Sequence, residues 1–207
     1  MSPLYTFLRY CERSSLPKEI LDCGAGGEDP PLYIFHSLGY TSHGVDISEE
    51  QLKKTRGFCD SKGIELNIRK GDMRTLPFED CSFSFVYSYD TVFHMPKKEV
   101  AVAVEEMKRV LRREGLLFVN FVSTQHSGFG AGQKVGPGEF VQNGRHGKVF
   151  ISYYEDNEPD TLFNGLEILS KEKRIVELTS KGVRALGFTV NSQKHIYASL
   201  DYFARKK

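Results

Sequence analysis

Short apolar runs bounded by glycine and polar turns alternate with helical apolar stripes from residue 18 to residue 122. Such alternation predicts a parallel sheet whose crossover helices cover both faces. The predicted strands are 18–23, 41–46, about 64–69, 83–88 and 116–122, with helices at 30–38 and 49–61. Val100, Val104, Met107 and Leu111 recur at i, i+4, i+7 and i+11, one face of a further helix packed on the sheet. Leu116-Leu-Phe-Val-Asn-Phe-Val122 is nearly continuous in apolar residues, as a central strand buried on both faces requires. Residues 3–13 read as a leading helix with Tyr5, Leu8 and Tyr10 partly buried.

The texture changes after Ser123. From Thr124 to Gly147 the chain is rich in glycine and polar residues and shows no apolar stripe. Connectors in compact domains usually run ~4–6 residues, so a segment this long calls for a role. It is read as a mobile lid over about 124–150, with Phe129 and Phe140 folding over the site, against the alternative of a disordered surface loop. Beyond it, residues 166–178 and 194–204 alternate apolar and polar side chains, Ile196, Ala198, Leu200 and Tyr202 sharing one face. They should pair antiparallel at one edge of the sheet. The fold class expected is α/β: a doubly wound, mostly parallel, seven-stranded sheet with an antiparallel last strand, in one domain over 1–207.

Composition narrows the function classes. The 207 residues are 40% hydrophobic, enough for one sizeable core, and a net charge of +1 gives no basic field for nucleic acid. No apolar run approaches a membrane span, and Met1-Ser-Pro-Leu4 lacks the order of a signal peptide. Cys11, Cys23, Cys59 and Cys81 form no Cys-x-x-Cys pair, so they read as reduced thiols in a cytoplasmic protein without a metal site. A monomer or homodimer is expected.

Candidate chemistry begins at Ile20-Leu-Asp-Cys-Gly-Ala-Gly-Gly-Glu28, an apolar strand breaking into a glycine turn. Gly24 and Gly26 let backbone bend tightly against a small molecule, and Asp29-Pro30-Pro31 offers a cap and first turn for the next helix. Asp46 ends the second strand about 20 residues later, the usual spacing to an acid that accepts from ribose hydroxyls. Ser48-Glu-Glu-Gln51 is a capping box placing Asp46 just before a helix. After the third strand, Gly71-Asp-Met73 supplies a carboxylate for an adenine amino group and a thioether for its ring face.

In their order along residues 19–123, these features resemble the class I S-adenosylmethionine-dependent methyltransferases of the small-molecule type. The resemblance includes Asp22-x-Gly24-x-Gly26, Gly44-Val-Asp46, Gly71-Asp-Met73, Leu76-Pro-Phe78, Ser82-Phe-Ser-Phe-Val86, Tyr87-Ser-Tyr-Asp-Thr-Val-Phe-His94 and Arg109-Val-Leu-Arg-Arg-Glu-Gly115. Glu28 stands where the family often has a third glycine, and Phe83-Ser84 where it has Phe-Asp. The resemblance implies the strand order 3-2-1-4-5-7-6 and S-adenosyl-L-methionine as cofactor. It also implies cofactor contacts from Asp22, Cys23, Gly24, Ala25, Gly26, Asp46, Ile47, Gln51, Asp72, Met73 and Ser88. A nicotinamide or flavin fold is the competing reading, but Gly-x-Gly-x-x-Gly calls for glycine at 29, where Asp29 stands.

A sulfonium is already a strong methyl donor, so the protein mainly aligns a nucleophile and excludes water. His94 is the candidate general base, against a purely packing role. Tyr87, Tyr89, His126, His146, Tyr153 and Tyr154 are further candidates to line an acceptor pocket. The expected acceptor is a small metabolite. A macromolecular acceptor (tRNA or protein) and a non-catalytic cofactor-binding protein stay open, although Asn-Pro-Pro-Tyr, used on planar nitrogens, is replaced by Ser88-Tyr-Asp-Thr91.

Overall fold

The computed structural model describes residues 2–144, 147–179 and 194–207. Its parallel core is built from β1 (Glu19–Cys23), β2 (Thr41–Asp46), β3 (Ile68–Lys70), β4 (Phe83–Ser88) and β5 (Leu111–Ser123). These pair in the order β3-β2-β1-β4-β5, all parallel. β9 (Leu166–Thr179) and β10 (Lys194–Lys206) complete the expected path: β10 runs antiparallel to β5, and β9 antiparallel to β10. The two helical layers are α1 (Pro3–Glu12), α2 (Leu32–Ser37), α3 (Glu49–Lys62) and α4 (Lys97–Val110).

Local chemistry explains most boundaries. Ser48 caps α3, its hydroxyl accepting from the Gln51 amide at 3.3 Å, and Gly63 closes the helix with φ of 64°. Asp29 does not cap α2; the turn is closed by the Pro30 and Pro31 carbonyls, which accept from Tyr33 and Ile34. β3 is shorter than read because Asn67 sits at φ of 50°, outside extended geometry. In α1 the buried residues are Pro3, Leu4, Phe7 and Cys11, whereas Tyr5 faces solvent. Val100, Val104 and Met107 are buried as expected, and Leu111 falls just past the helix as the first residue of β5.

The segment after β5 departs from expectation. Although its composition suggests weak strand propensity, it forms a three-stranded antiparallel meander, β6 (Gln133–Gly136), β7 (Glu139–Gly144) and β8 (Gly147–Tyr154). Among the described residues the sheet therefore holds ten strands instead of seven. β8 joins β5 in parallel for two residue pairs, Val122 with Tyr153 and Ser123 with Tyr154. The glycines that suggest disorder serve as turns: Gly132 and Gly138 take φ of 79° and 72°. Phe140 anchors the meander, buried against a cluster of Phe93, Val122 and Tyr153.

Candidate active site

The C-terminal ends of β1, β2 and β3 open into a cleft of about 320 Å³. Six of the sequence-predicted residues line it: Gly24, Asp46, Ile47, Asp72, Met73 and His94. Val45, Gly71, Arg74, Thr91, Met95, Pro96 and Glu99 complete the wall. Ligands of open α/β sheets bind at this end of the strands.

The glycine turn and Asp46 form one unit. The Gly24 and Ala25 amides donate to the Val45 carbonyl, and the Gly26 amide donates to Asp46 Oδ2 at 2.8 Å. Asp46 Oδ1 accepts from the Ser48 amide at 2.8 Å. Each carboxylate oxygen is thus steered by one backbone donor and keeps lone-pair capacity for a ligand hydroxyl. Gly24, at φ of 99°, has Thr91 so close that a Cβ would lie 2.3 Å from that side chain. A Cβ on Gly26 would meet Gln51 Cβ at 2.5 Å and Asp46 Oδ2 at 2.6 Å. Both positions are glycine because the chain passes too close to its neighbours for anything larger.

The end of the cleft around Asp72 is more charged than its sequence suggests. Both oxygens of Asp72 accept from the Arg74 guanidinium, which also pairs with Glu99. The guanidinium holds the Asp72 carboxyl below the usual range. Ile47 is apolar yet 60% exposed, and with Met73 it gives the cleft apolar surface for a flat ring.

Asp22, Cys23, Ala25, Gly26, Gln51 and Ser88 do not line the cleft. Asp22 is buried and accepts from Tyr87 Oη at 2.7 Å; burial pushes its pKa up to about 7 against the pull of that bond. The Ser88 hydroxyl donates to the Cys23 carbonyl at 2.6 Å, pinning β4 to the end of β1. The Gln51 carbonyl accepts from the Gly27 amide, closing the turn onto α3.

His94 ends a short 3-10 turn (Val92–His94) at the cleft mouth, its Nδ1 3.2 Å from the Phe150 carbonyl. As donor to that oxygen Nδ1 keeps the proton, which leaves the Nε2 lone pair free. The ring keeps an exposed edge, while protein crowding its other side pushes its pKa below the ordinary value. Of the other candidates, Tyr87 is a core residue, Tyr153 and Tyr154 are buried, and His126 is pushed down to about 4 by burial and the neighbouring His195. His146 lies outside the described residues.

Sequence reasoning missed Asp90, Asn120 and Tyr197. Asp90 takes φ of 54° just past β4; its amide donates to Asn120 Oδ1 at 2.7 Å, and its Oδ1 accepts from Asn120 Nδ2 and Tyr197 Oη, both at 2.6 Å. Asn120 is the one polar side chain within the apolar run of residues 116–122, a signal that a buried polar partner awaits it.

Residues 21–119 match the family model described as a methyltransferase domain. These residues form a methyltransferase domain. The methyltransferase GfsG of Streptomyces halstedii is 31% identical over 103 residues, which are 49% of this chain and 36% of that one. Norajmaline N-methyltransferase of Rauvolfia serpentina is 29% identical over 49% of this chain and 35% of its own. The chain thus spans about a third of the length of these curated relatives. Among solved structures, a SAM-dependent methyltransferase of Methanosarcina mazei superposes with a TM-score of 0.73 at 19% identity, covering 96% of each chain. The 1,6-didemethyltoxoflavin-N1-methyltransferase of Burkholderia thailandensis, bound to S-adenosylhomocysteine, superposes at 0.64 and 13% identity over 99% of this chain and 76% of its own. S-adenosylmethionine is the cofactor of this family, and the cleft suits it. The lone pairs of Asp46 fit ribose hydroxyls, and the apolar Ile47 and Met73 fit a purine ring. Among the described residues no cluster could hold a metal ion, and no helix is long and apolar enough to cross a membrane.

Proposed function

We propose that the protein transfers a methyl group from S-adenosylmethionine to a small-molecule acceptor. The observation that carries this reading is the cleft itself, in which the glycine turn, Asp46, Ile47 and Met73 meet at the strand ends with His94 at the mouth. Asp46 holds the ribose, Asp72 and Met73 the adenine, and Gly24 and Gly26 admit the methionine tail. The cofactor supplies an activated methyl group on a sulfonium. His94 Nε2 takes a proton from the acceptor, because the Phe150 carbonyl fixes the tautomer with that lone pair free. The meander, anchored by Phe140 on Phe93, one residue before His94, walls the acceptor side and keeps water out. A small acceptor is favoured by the balanced charge and by relatives whose names specify norajmaline and sarcosine.

The test is incubation with methyl-labelled cofactor and separate pools of small metabolites, RNA and protein. Label is expected in the metabolite pool. Label confined to RNA or protein establishes the macromolecular reading, and cofactor binding by calorimetry without label in any pool establishes a non-catalytic binder.

A further inference from the structure

Asp90, Asn120 and Tyr197 form a polar cluster at the tips of β4, β5 and β10, outside the residues that line the cleft. Its centre is Asp90, a non-glycine residue in left-handed backbone, with Thr91 and His94 of the cleft wall beside it in the chain. Asn120 is fully buried in β5 and grips Asp90 twice, through the backbone amide and through Oδ1. Tyr197 of β10 donates to the same oxygen. Three strands thus contribute to fixing one carboxylate, and a buried amide inside an apolar strand is costly unless it is used.

The donors around Asp90 are neutral. Among the described residues no cation forms an ion pair with it, and the nearby Arg174 is engaged by Asp201 at 2.9 Å. Neutral donors do not offset a carboxylate as a cation would, and the Asp90 carboxylate acts electrostatically on His94.

We propose that Asp90 is the acceptor-binding residue and that the acceptor is an amine, bound through an N–H to the Asp90 carboxylate. This rests on the methyl-transfer reading above. An ammonium acceptor gives one proton to His94 Nε2 and from there to solvent, and a remaining N–H donates to Asp90. The freed nitrogen lone pair forms the N–C bond as the methyl–sulfur bond breaks, and sulfur keeps that electron pair. Positive charge therefore moves from sulfur to nitrogen, and the fixed carboxylate stabilises the nitrogen cation as it develops. A carboxylic acid acceptor is repelled by the same charge. Asn120 and Tyr197 are positioning residues.

The experiment follows label from methyl-labelled cofactor into a small-metabolite extract separated by cation and anion exchange at acid pH. The labelled product is expected on the cation exchanger. In Asp90→Asn, which keeps shape and backbone preference, labelling should fall roughly 10- to 100-fold, as expected for a lost charged hydrogen bond. Cofactor affinity measured by calorimetry should be unchanged in that variant. Asn120→Ala should raise the KM for the purified acceptor more than it lowers kcat. Label in the neutral or acidic fraction, or undiminished labelling by Asp90→Asn, overturns the amine assignment while leaving methyl transfer intact. No labelled small molecule at all overturns the methyl-transfer reading and this proposal with it.

Discussion

Tyr87 Oη donates to Asp22 Oδ2 at 2.7 Å in the centre of the molecule, where both side chains are buried. The carboxyl would otherwise lack a partner beneath the glycine turn. Its folded pKa of about 7 lies above the ordinary 3.8, so it adds stability that is complete below pH ~4 and is lost as pH rises through about 7. Tyr87→Phe should cost about 1–3 kcal/mol. Urea denaturation should show a larger loss at pH 8, where Asp22 is ionised, than at pH 5. An equal loss at both pH values contradicts this account.

Asp46 should govern cofactor affinity. Asp46→Ala removes the proposed ribose acceptor and the partners of the Gly26 and Ser48 amides. Calorimetry should show binding of S-adenosylmethionine weakened about tenfold or more. Gly26→Ala should act in the same direction, because its Cβ would press on the Asp46 carboxylate. Unchanged affinity in either folded variant removes the ribose from this position.

The parallel core was readable because its signals are local. An apolar run, a glycine turn and an acid at a fixed offset each reflect backbone geometry within a few residues, and Gly24, Asp46 and Asp72 all reached the cleft. The meander was not readable, since its strands are held by pairing with each other and by Phe140 packing on distant Phe93 and Val122. Its glycines carry turn geometry that composition alone confuses with disorder. The Asp90 cluster escaped for the same reason: Tyr197 lies 107 residues from its partner.

Phe140 should hold the meander in place. Phe140→Ala empties a buried site, which costs about 3–5 kcal/mol. Thermal unfolding should report the loss. Hydrogen exchange should show slow amides across β7 and β8 in the parent protein and faster ones in the variant. Fast exchange over both strands in the parent would return this segment to an open lid.

With His94 as the proposed base, its titration should set the acid side of the pH profile. Its pKa lies below the ordinary 6.5, so the ring is neutral at pH 7 and turnover should persist on acidification until pH falls beneath that value. His94→Gln should lower kcat about 100-fold or more, the range of a lost general base, with cofactor affinity retained. An unaltered kcat and pH profile would leave the ring a packing role only.

The Thr124 amide donates to the Tyr154 carbonyl at 3.0 Å, just beyond the two pairs that join β5 to β8. The chain therefore departs from the sheet and rejoins it at adjacent points, with the whole meander between them. A segment whose two ends are already side by side can be exchanged for another of different length without moving either flank. With the meander as the proposed acceptor wall, a foreign cassette grafted between Thr124 and Tyr154 should change acceptor preference while residues 21–119, the part that matches the methyltransferase domain, are left untouched.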